Sequence, residues 1–319
     1  MTLFLLLVGL GLLVLGADWL VDGASAIARR AGENEFVIGL TIVGFGTSCP
    51  ELMVSLTGAI QGNADIAIGN VVGSNIFNVL FILGVTSLIF PITMTKENRE
   101  KDIPIALGVT VLLVVCGMSQ SLFGIGGSDS LSRIEGIFLL FVFAAYLLFC
   151  FKFSSKELNP GQKGKAISLS IAVLLVTGGL AGLIFGGNMF VRNATELARD
   201  IGVSDKFIAC TLLAGGTSLP ELTTSIVAAA KHKDQLALGN ILGSNIFNVL
   251  LVLGCSSIIT PLAFTGITPV DAAVLILSSS LLLMWSFTGK KCHIDRWEGA
   301  AMLLLFAGYY HYLFKNNYL

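Results

Sequence analysis

The sequence predicts an all-α polytopic membrane protein, with ten transmembrane helices in two inverted five-helix repeats, and three observations carry that reading. Of the 319 residues, 55% are hydrophobic and only 12% are charged, with a mean hydropathy of +0.86, whereas a soluble domain carries roughly 25% charged residues. Apolar stretches long enough to cross about 30 Å of hydrocarbon recur along the whole chain. A block of sequence that starts at residue 44 returns at residue 214, which marks a duplicated unit.

The expected spans lie near 2–22, 36–60, 66–91, 103–119, 134–152, 166–190, 206–230, 236–260, 268–288 and 297–315. The first has no basic residue before Arg29 and no A-x-A cleavage site, so it reads as a retained span and not as a signal peptide. Lys and Arg gather on cytoplasmic loops and set orientation. Loops after the odd-numbered spans hold 14 of these residues against 5 on the other side, which puts both termini outside the cytoplasm. That describes a multi-pass protein of the cell inner (cytoplasmic) membrane.

The remaining composition is plain. Trp19, Trp285, Trp297, Tyr309, Tyr310 and Tyr312 suit aromatic belts at the interfaces. Asp18, Asp22 and Asp271 fall near span ends and read as interfacial, with Asp18 a candidate for lining an entry path. The six cysteines show no metal-like spacing and read as small buried hydrophobes without a disulfide framework. The three histidines lie at or beyond span ends and suggest no proton relay. A net charge of −1 argues against nucleic acid as a partner.

The repeat is the strongest single signal. GTSCPEL at 46–52 recurs as GTSLPEL at 216–222, and GNVVGSNIFNVLFILG at 69–84 recurs as GNILGSNIFNVLLVLG at 239–254. Both matches share an offset of 170, and residues 44–84 align with 214–254 without a gap at 21 identities in 41 positions. Five helices per copy is an odd number, so the second copy must enter the membrane upside down, the plan of secondary transporters. The halves are 1–153 and 166–319, joined by a short cytoplasmic linker, SSKELNPGQKGK at 154–165.

Glu51 and Glu221 are the decisive residues. Each sits inside an apolar span, where a charge costs at least about 2.5–3.5 kcal/mol. They occupy equivalent repeat positions, so inverted symmetry should bring them to one central place carrying −2. A divalent cation would neutralise that charge; without one, at least one carboxyl should bind a proton. Protonated carboxyls that merely join helices are the alternative.

Their neighbours are Thr47, Ser48 and Pro50, with Thr217, Ser218 and Pro220 in the second copy. A proline in mid-helix donates no N–H, so the carbonyls of Gly46 and Gly216 should lose their partners. Freed carbonyls, hydroxyls and a carboxylate make an all-oxygen site, which suits hard cations such as Ca²⁺ and Na⁺. The GSNIFN segments add Ser74, Asn75 and Asn78, with Ser244, Asn245 and Asn248 as counterparts. At spacings of three and four these share one helix face and could complete cation coordination. Interhelical hydrogen bonding is the competing role for the asparagines, and Asn70 and Asn240 could play either part. The G-x-x-x-G pairs Gly69/Gly73 and Gly239/Gly243 read as close-packing positions.

With two copies of G-T-S-x-P-E and of G-S-N-x-x-N, the sequence resembles the sodium/calcium exchangers of the Ca²⁺/cation antiporter superfamily, in their bacterial or archaeal form. The resemblance implies a central Ca²⁺ site made by Glu51, Glu221, Thr47 and Thr217. It also implies flanking Na⁺ sites drawing on Ser48, Ser74, Ser218 and Ser244, with Asn78 and Asn248 between them. Proton-coupled relatives usually carry a different motif, G-N-x-x-E. Relatives often have aspartate at the place of Asn248, and an acid there accompanies potassium dependence in one branch; asparagine argues against potassium co-transport.

The expected activity is therefore secondary active antiport, Ca²⁺ leaving in exchange for Na⁺ by alternating access. A Ca²⁺/H⁺ antiporter on the same fold is the main alternative and a cation channel the lesser one. An enzyme is not expected, because the spans hold no nucleophile–base pair and no His/Asp metal motif. The expected partners are the lipid bilayer and the transported ions. No cofactor is expected, because Ca²⁺ and Na⁺ bind as substrates. The expected state is a monomer. Gly9, Gly11 and Gly16 in the first helix and Gly178, Gly179 and Gly182 in the sixth would suit sliding, or ordinary packing.

Overall fold

In hydrocarbon a backbone has no water to bond, so apolar runs of this length close their own hydrogen bonds as helices. The structure, a computed structural model, describes residues 1–124, 128–153, 167–202, 215–288 and 293–317. Its helices begin with α1 (Thr2–Ala31), α2 (Glu35–Thr47), α3 (Cys49–Ile60), α4 (Ala64–Ile89), α5 (Ile103–Gly117) and α6 (Ser119–Phe123). They continue with α7 (Arg133–Phe153), α8 (Leu169–Asp200), α9 (Leu219–Ala230), α10 (Asp234–Ile259), α11 (Pro269–Thr288) and α12 (Arg296–Asn317). Among the described residues, α1, α4, α7, α8, α10 and α11 are six helices long and apolar enough to cross a membrane. Helices α2 and α3, bent by 47° at their junction, form a seventh candidate. The protein is thus a helical, multi-pass membrane protein. The linker at 154–165, the first part of the expected span 206–230, and Cys210 and Cys292 lie outside the described residues.

Four two-residue strands were not expected from the sequence. β1 (Ile92–Thr93) pairs antiparallel with β4 (His293–Ile294), and β2 (Ser130–Leu131) with β3 (Leu262–Ala263). Each lies just outside a helix end, where the emerging backbone still needs partners. The helices that follow are then capped by a side chain three residues on. Glu135 accepts from the Ser132 amide and hydroxyl, both at 2.7 Å. Glu298 accepts from the Asp295 amide at 2.7 Å. Asp271 accepts from the Thr268 amide and hydroxyl at 2.7 Å, and its other oxygen accepts from the Tyr309 hydroxyl at 2.7 Å. Asp271 is therefore a buried capping residue and not a solvated interfacial one. Trp285 is likewise buried, packed edge-on against exposed Trp297.

Contacts gather the chain into two compact units, one of Met1–Pro50 with Leu148–Gly243 and one of Glu51–Leu147 with Ser244–Leu319. Each unit draws segments from both sequence halves. Within the first, the dominant contact is between α1 and α8. At 30 and 32 residues both are longer than expected. Hydropathy ends the first span at residue 22, but 23–31 (GASAIARRA) is rich in helix formers and continues the same helix. It stops only at Gly32, whose φ of 68° is the left-handed cap. At 1.5 Å per residue α1 is about 45 Å long, well beyond the hydrocarbon thickness.

Glycine makes the α1–α8 contact possible. A methyl group at Gly9 would lie 2.8 Å from the Phe190 nitrogen, one at Gly16 2.8 Å from the Gly179 carbonyl oxygen, and one at Gly23 2.7 Å from the Ala172 carbonyl oxygen. Residue numbers rise along α1 as they fall along α8, so the two helices run antiparallel, backbone against backbone. Gly11, by contrast, faces open space. Gly16→Val or Gly179→Val is expected to lower the thermal midpoint in detergent, with overpacking of about 1–3 kcal/mol. Gly11→Val is expected to leave the midpoint unchanged, as a melting curve by intrinsic fluorescence would read.

Candidate cation site

Both signature segments place a non-helical serine just before a helix start. The first runs down α2, breaks at Ser48 (φ −83°, ψ 3°) and resumes as α3 from Cys49. The second resumes as α9 from Leu219 after Ser218 (φ −90°, ψ 7°). The cause is the proline one residue further on, which cannot bond back into the preceding turn. The Gly216 carbonyl, expected to lose its partner, instead accepts a long 3.4 Å bond from the Leu219 amide. The turn tightens there to span three residues instead of four.

The break moves the glutamates from mid-helix, where the sequence puts them, into the first turn of a new helix. Glu51 heads α3 and Glu221 heads α9, each only 1% exposed. A helix N-terminus stabilises a nearby anion by up to about 2 kcal/mol in partly buried geometry. The penalty for burying a charge is several kcal/mol. The dipole alone therefore cannot hold two ionised carboxylates at this depth, and neighbouring groups such as the Ser48 hydroxyl contribute to the balance.

In the first unit the Ser48 hydroxyl donates to Glu221 Oε1 at 3.2 Å. The Thr47 hydroxyl donates to Asn240 Oδ1 at 3.0 Å. Asn240 in turn donates through Nδ2 to the Glu221 carbonyl at 3.3 Å and to the Ser225 hydroxyl at 3.0 Å. The second unit repeats this clasp on Glu51, where Asn70 Nδ2 donates to the Glu51 carbonyl at 3.1 Å and to Ser55 at 2.9 Å. Asn70 and Asn240, whose role the sequence leaves open, are thus clasps on the glutamate backbone. Ser55 and Ser225 were missed; each stands one helical turn after its glutamate, at the same 170-residue offset, and that spacing could have revealed them. Ser218 is fully buried, while Thr217 is half-buried, its Oγ1 without a hydrogen-bond partner among the described residues.

The four GSNIFN asparagines meet within the second unit. Asn75 Nδ2 donates to the Asn245 carbonyl at 3.1 Å, and Asn245 Nδ2 returns a bond to the Asn75 carbonyl at 3.4 Å. Asn78 Nδ2 donates to Asn245 Oδ1 at 2.9 Å, and Asn248 Nδ2 to Asn75 Oδ1 at 3.1 Å. This network engages the side-chain amides of all four and leaves two buried carbonyl oxygens, Asn78 Oδ1 and Asn248 Oδ1, with no hydrogen-bond partner among the described residues. Such oxygens are costly unless something positive sits before them. Ser74 and Ser244 are buried on the same helices. Each helix opens into a π-helical turn here, at Phe77–Ile82 and Asn248–Leu253, an irregularity common at functional sites.

A hollow of about 700 Å³ in the first unit reaches these segments. Pro50, Gly216, Thr217 and Pro220 line it from the motifs, and Asn188, Arg192, Thr195 and Glu196 line it from α8. Of the G-x-x-x-G glycines, Gly239 and Gly243 lie against the Phe36 and Leu40 backbone, whereas Gly69 and Gly73 face open space.

Buried acids heading broken helices, beside hydroxyls and a water-accessible hollow, define a membrane transporter for cations and not an enzyme. The chain belongs to the sodium/calcium exchanger protein family, whose profile matches residues 1–152 and 171–315. It is 33% identical over 345 residues to the sodium/calcium exchanger MaX1 of Methanosarcina acetivorans, covering 97% of each chain. It is 37% identical over 298 residues to the inner membrane protein YrbG of Escherichia coli, covering 88% of each. Its fold is similar to that of the sodium-calcium exchanger NCX_Mj, solved after soaking without Na⁺ and Ca²⁺, at a TM-score of 0.84, 35% identity and 98% coverage of both chains.

Removing a clasp should be felt in stability. Asn240→Ala removes one bond from each of Thr47, Ser225 and the Glu221 carbonyl, and a lost buried hydrogen bond costs about 0.5–1.5 kcal/mol. A lower thermal midpoint in detergent is the expected result, larger than that of Asn63→Ala at the exposed start of α4.

Proposed function

We propose that the protein is an antiporter that moves Ca²⁺ out of the cytoplasm in exchange for Na⁺, by alternating access around Glu51 and Glu221. One observation carries the reading: two buried glutamates, 170 residues apart, each in the first turn of a helix that begins at a break. Two carboxylates match the charge of one Ca²⁺. Thr47 and Thr217 complete the Ca²⁺ site, and Ser48, Ser218, Ser74 and Ser244, with Asn75, Asn245, Asn78 and Asn248, supply neutral oxygen for Na⁺. Neutral oxygens of this kind cannot carry protons, which favours Na⁺ over H⁺ as the coupling ion. No cofactor enters the scheme.

The architecture proposed with it is ten spans in two inverted repeats, 1–153 and 166–319, with both termini outside the cytoplasm of a monomer in the inner membrane. The antiparallel run of α1 against α8, which the 170 offset relates, supports inversion, as do the reciprocal bonds of Asn75 and Asn245. Moving a charge across 100 mV is worth about 2.3 kcal/mol, so expelling a divalent ion favours entry of more than two Na⁺ per cycle.

In proteoliposomes, a Na⁺ gradient with pH clamped is expected to drive uptake of labelled Ca²⁺, with no added effect of a K⁺ gradient. Uptake that follows a pH gradient and ignores Na⁺ would overturn the coupling assignment. Glu51→Gln and Glu221→Gln are each expected to lower transport at least about 100-fold, the equivalent of losing about 3 kcal/mol of charged ligation, while eluting as folded protein on size exclusion. Normal flux in both variants would refute the site.

A further inference from the structure

Outside the candidate cation site, Lys231 forms a saturated ion cluster in the first unit. Lys231 closes the C-terminal end of α9, and its Nζ donates to Asp18 Oδ1 at 2.7 Å, to Asp22 Oδ1 at 2.7 Å and to the Asp18 carbonyl at 3.2 Å. An ammonium has three protons, and all three are committed. Asp18 and Asp22 are one helical turn apart, so the clamp grips a single face of α1. Its side chain is only 27% exposed, which removes part of the screening that makes surface pairs weak. The sequence reading of Asp18 and Asp22 as interfacial charges thus gives way to a built contact.

The duplication shows what the contact does. Moving by 170 residues takes Asp18 to Asn188, Asp22 to Arg192 and Lys231 to Gln61. None of the three positions keeps its charge pattern, so the equivalent clamp cannot form in the other copy. Asn188 and Arg192 instead line the 700 Å³ hollow. Because α1 and α8 are antiparallel, the hollow lies level with the first half of α1 and the clamp with its second half. The hollow thus lies beside one end of the α1–α8 pair, and towards the opposite end α1 is tied to the end of α9 by three bonds.

We propose that Lys231, with Asp18 and Asp22, is a latch that positions α1 and sets which end of the exchanger is open, favouring the state with the hollow accessible. It rests on the alternating-access reading above, and Lys231 acts through α1 without touching the transported ion. A latch present at one end only gives two pseudo-symmetric states unequal populations, by as much as it interacts differently with each.

The test reads accessibility, which does not depend on which ions are exchanged. Val191→Cys, in the wall of the hollow, is introduced with the natural cysteines replaced, and its labelling rate with a membrane-impermeant maleimide is measured in proteoliposomes. Lys231→Gln, and separately Asp18→Asn with Asp22→Asn, are expected to slow labelling at least about threefold as the population shifts to the opposite state. Lys231→Arg, which can keep both carboxylate bonds, is expected to label as the parent does. Should Lys231→Gln fail to fold, the double asparagine variant reads the same quantity with the lysine intact. Unchanged labelling in the folded variants would overturn the latch. Slowed labelling in a protein that Na⁺ does not drive would uphold it and refute only the coupling assignment.

Discussion

Two carboxylates buried where water is scarce are the constraint around which the rest of the chain is organised. A helix passing straight through would leave Glu51 and Glu221 with only side-chain neighbours. Breaking the helix at Ser48 and Ser218 instead aims the amide ends of α3 and α9 at them. The break has its own cost, because it strands backbone groups that water cannot reach. Each consequence has a visible remedy: a tightened bond at Gly216, a hydroxyl from Ser48 and an asparagine clasping each glutamate's carbonyl. The remedies are partial, since the burial penalty exceeds what the dipole returns. An incomplete balance suits a site whose missing charge arrives with the cargo.

The two units solve different problems. In the first, α1 and α8 meet through glycine so closely that no side chain separates their backbones, and the hollow opens along the far part of α8. In the second, polar side chains bond to one another across a pair of related helices, and Asn75 and Asn245 exchange main-chain contacts almost as mirror partners. The first contact is smooth and carries little directional bonding. The second is toothed with hydrogen bonds and resists relative movement. A scaffold of rigid and compliant parts suits the alternating access proposed above.

Much of this was legible in the residues. Hydropathy located the long apolar helices, because lipid admits few alternatives, and the 170-residue offset picked out the candidate site positions in pairs, apart from Ser55 and Ser225. The acids, hydroxyls and asparagines followed from their chemistry at depth. The rest depended on features hydropathy does not register. Residues 23–31 are too polar to count as a span, yet they prolong α1 by about two and a half turns. The displacement of Glu51 from mid-helix to a helix start needed the actual dihedrals at Ser48. The clasps of Asn70 and Asn240 needed the distances to Ser55 and Ser225. Lys231, Asp18 and Asp22 looked ordinary because their contact joins residues more than 200 positions apart.

The widened turns at Phe77–Ile82 and Asn248–Leu253 carry a consequence for the chain's tolerance of change. Such a turn accommodates about one residue beyond the α-helical complement, and everything after it is rotated by roughly 100° relative to a regular helix. The faces that Leu83–Ile89 and Gly254–Ile259 present are therefore set by a surplus residue upstream. Losing the surplus amino acid from either turn would restore an unbroken α-helix with every later side chain on its present face, whereas losing one from the regular α-helical stretch beside it would turn all of them by roughly 100°.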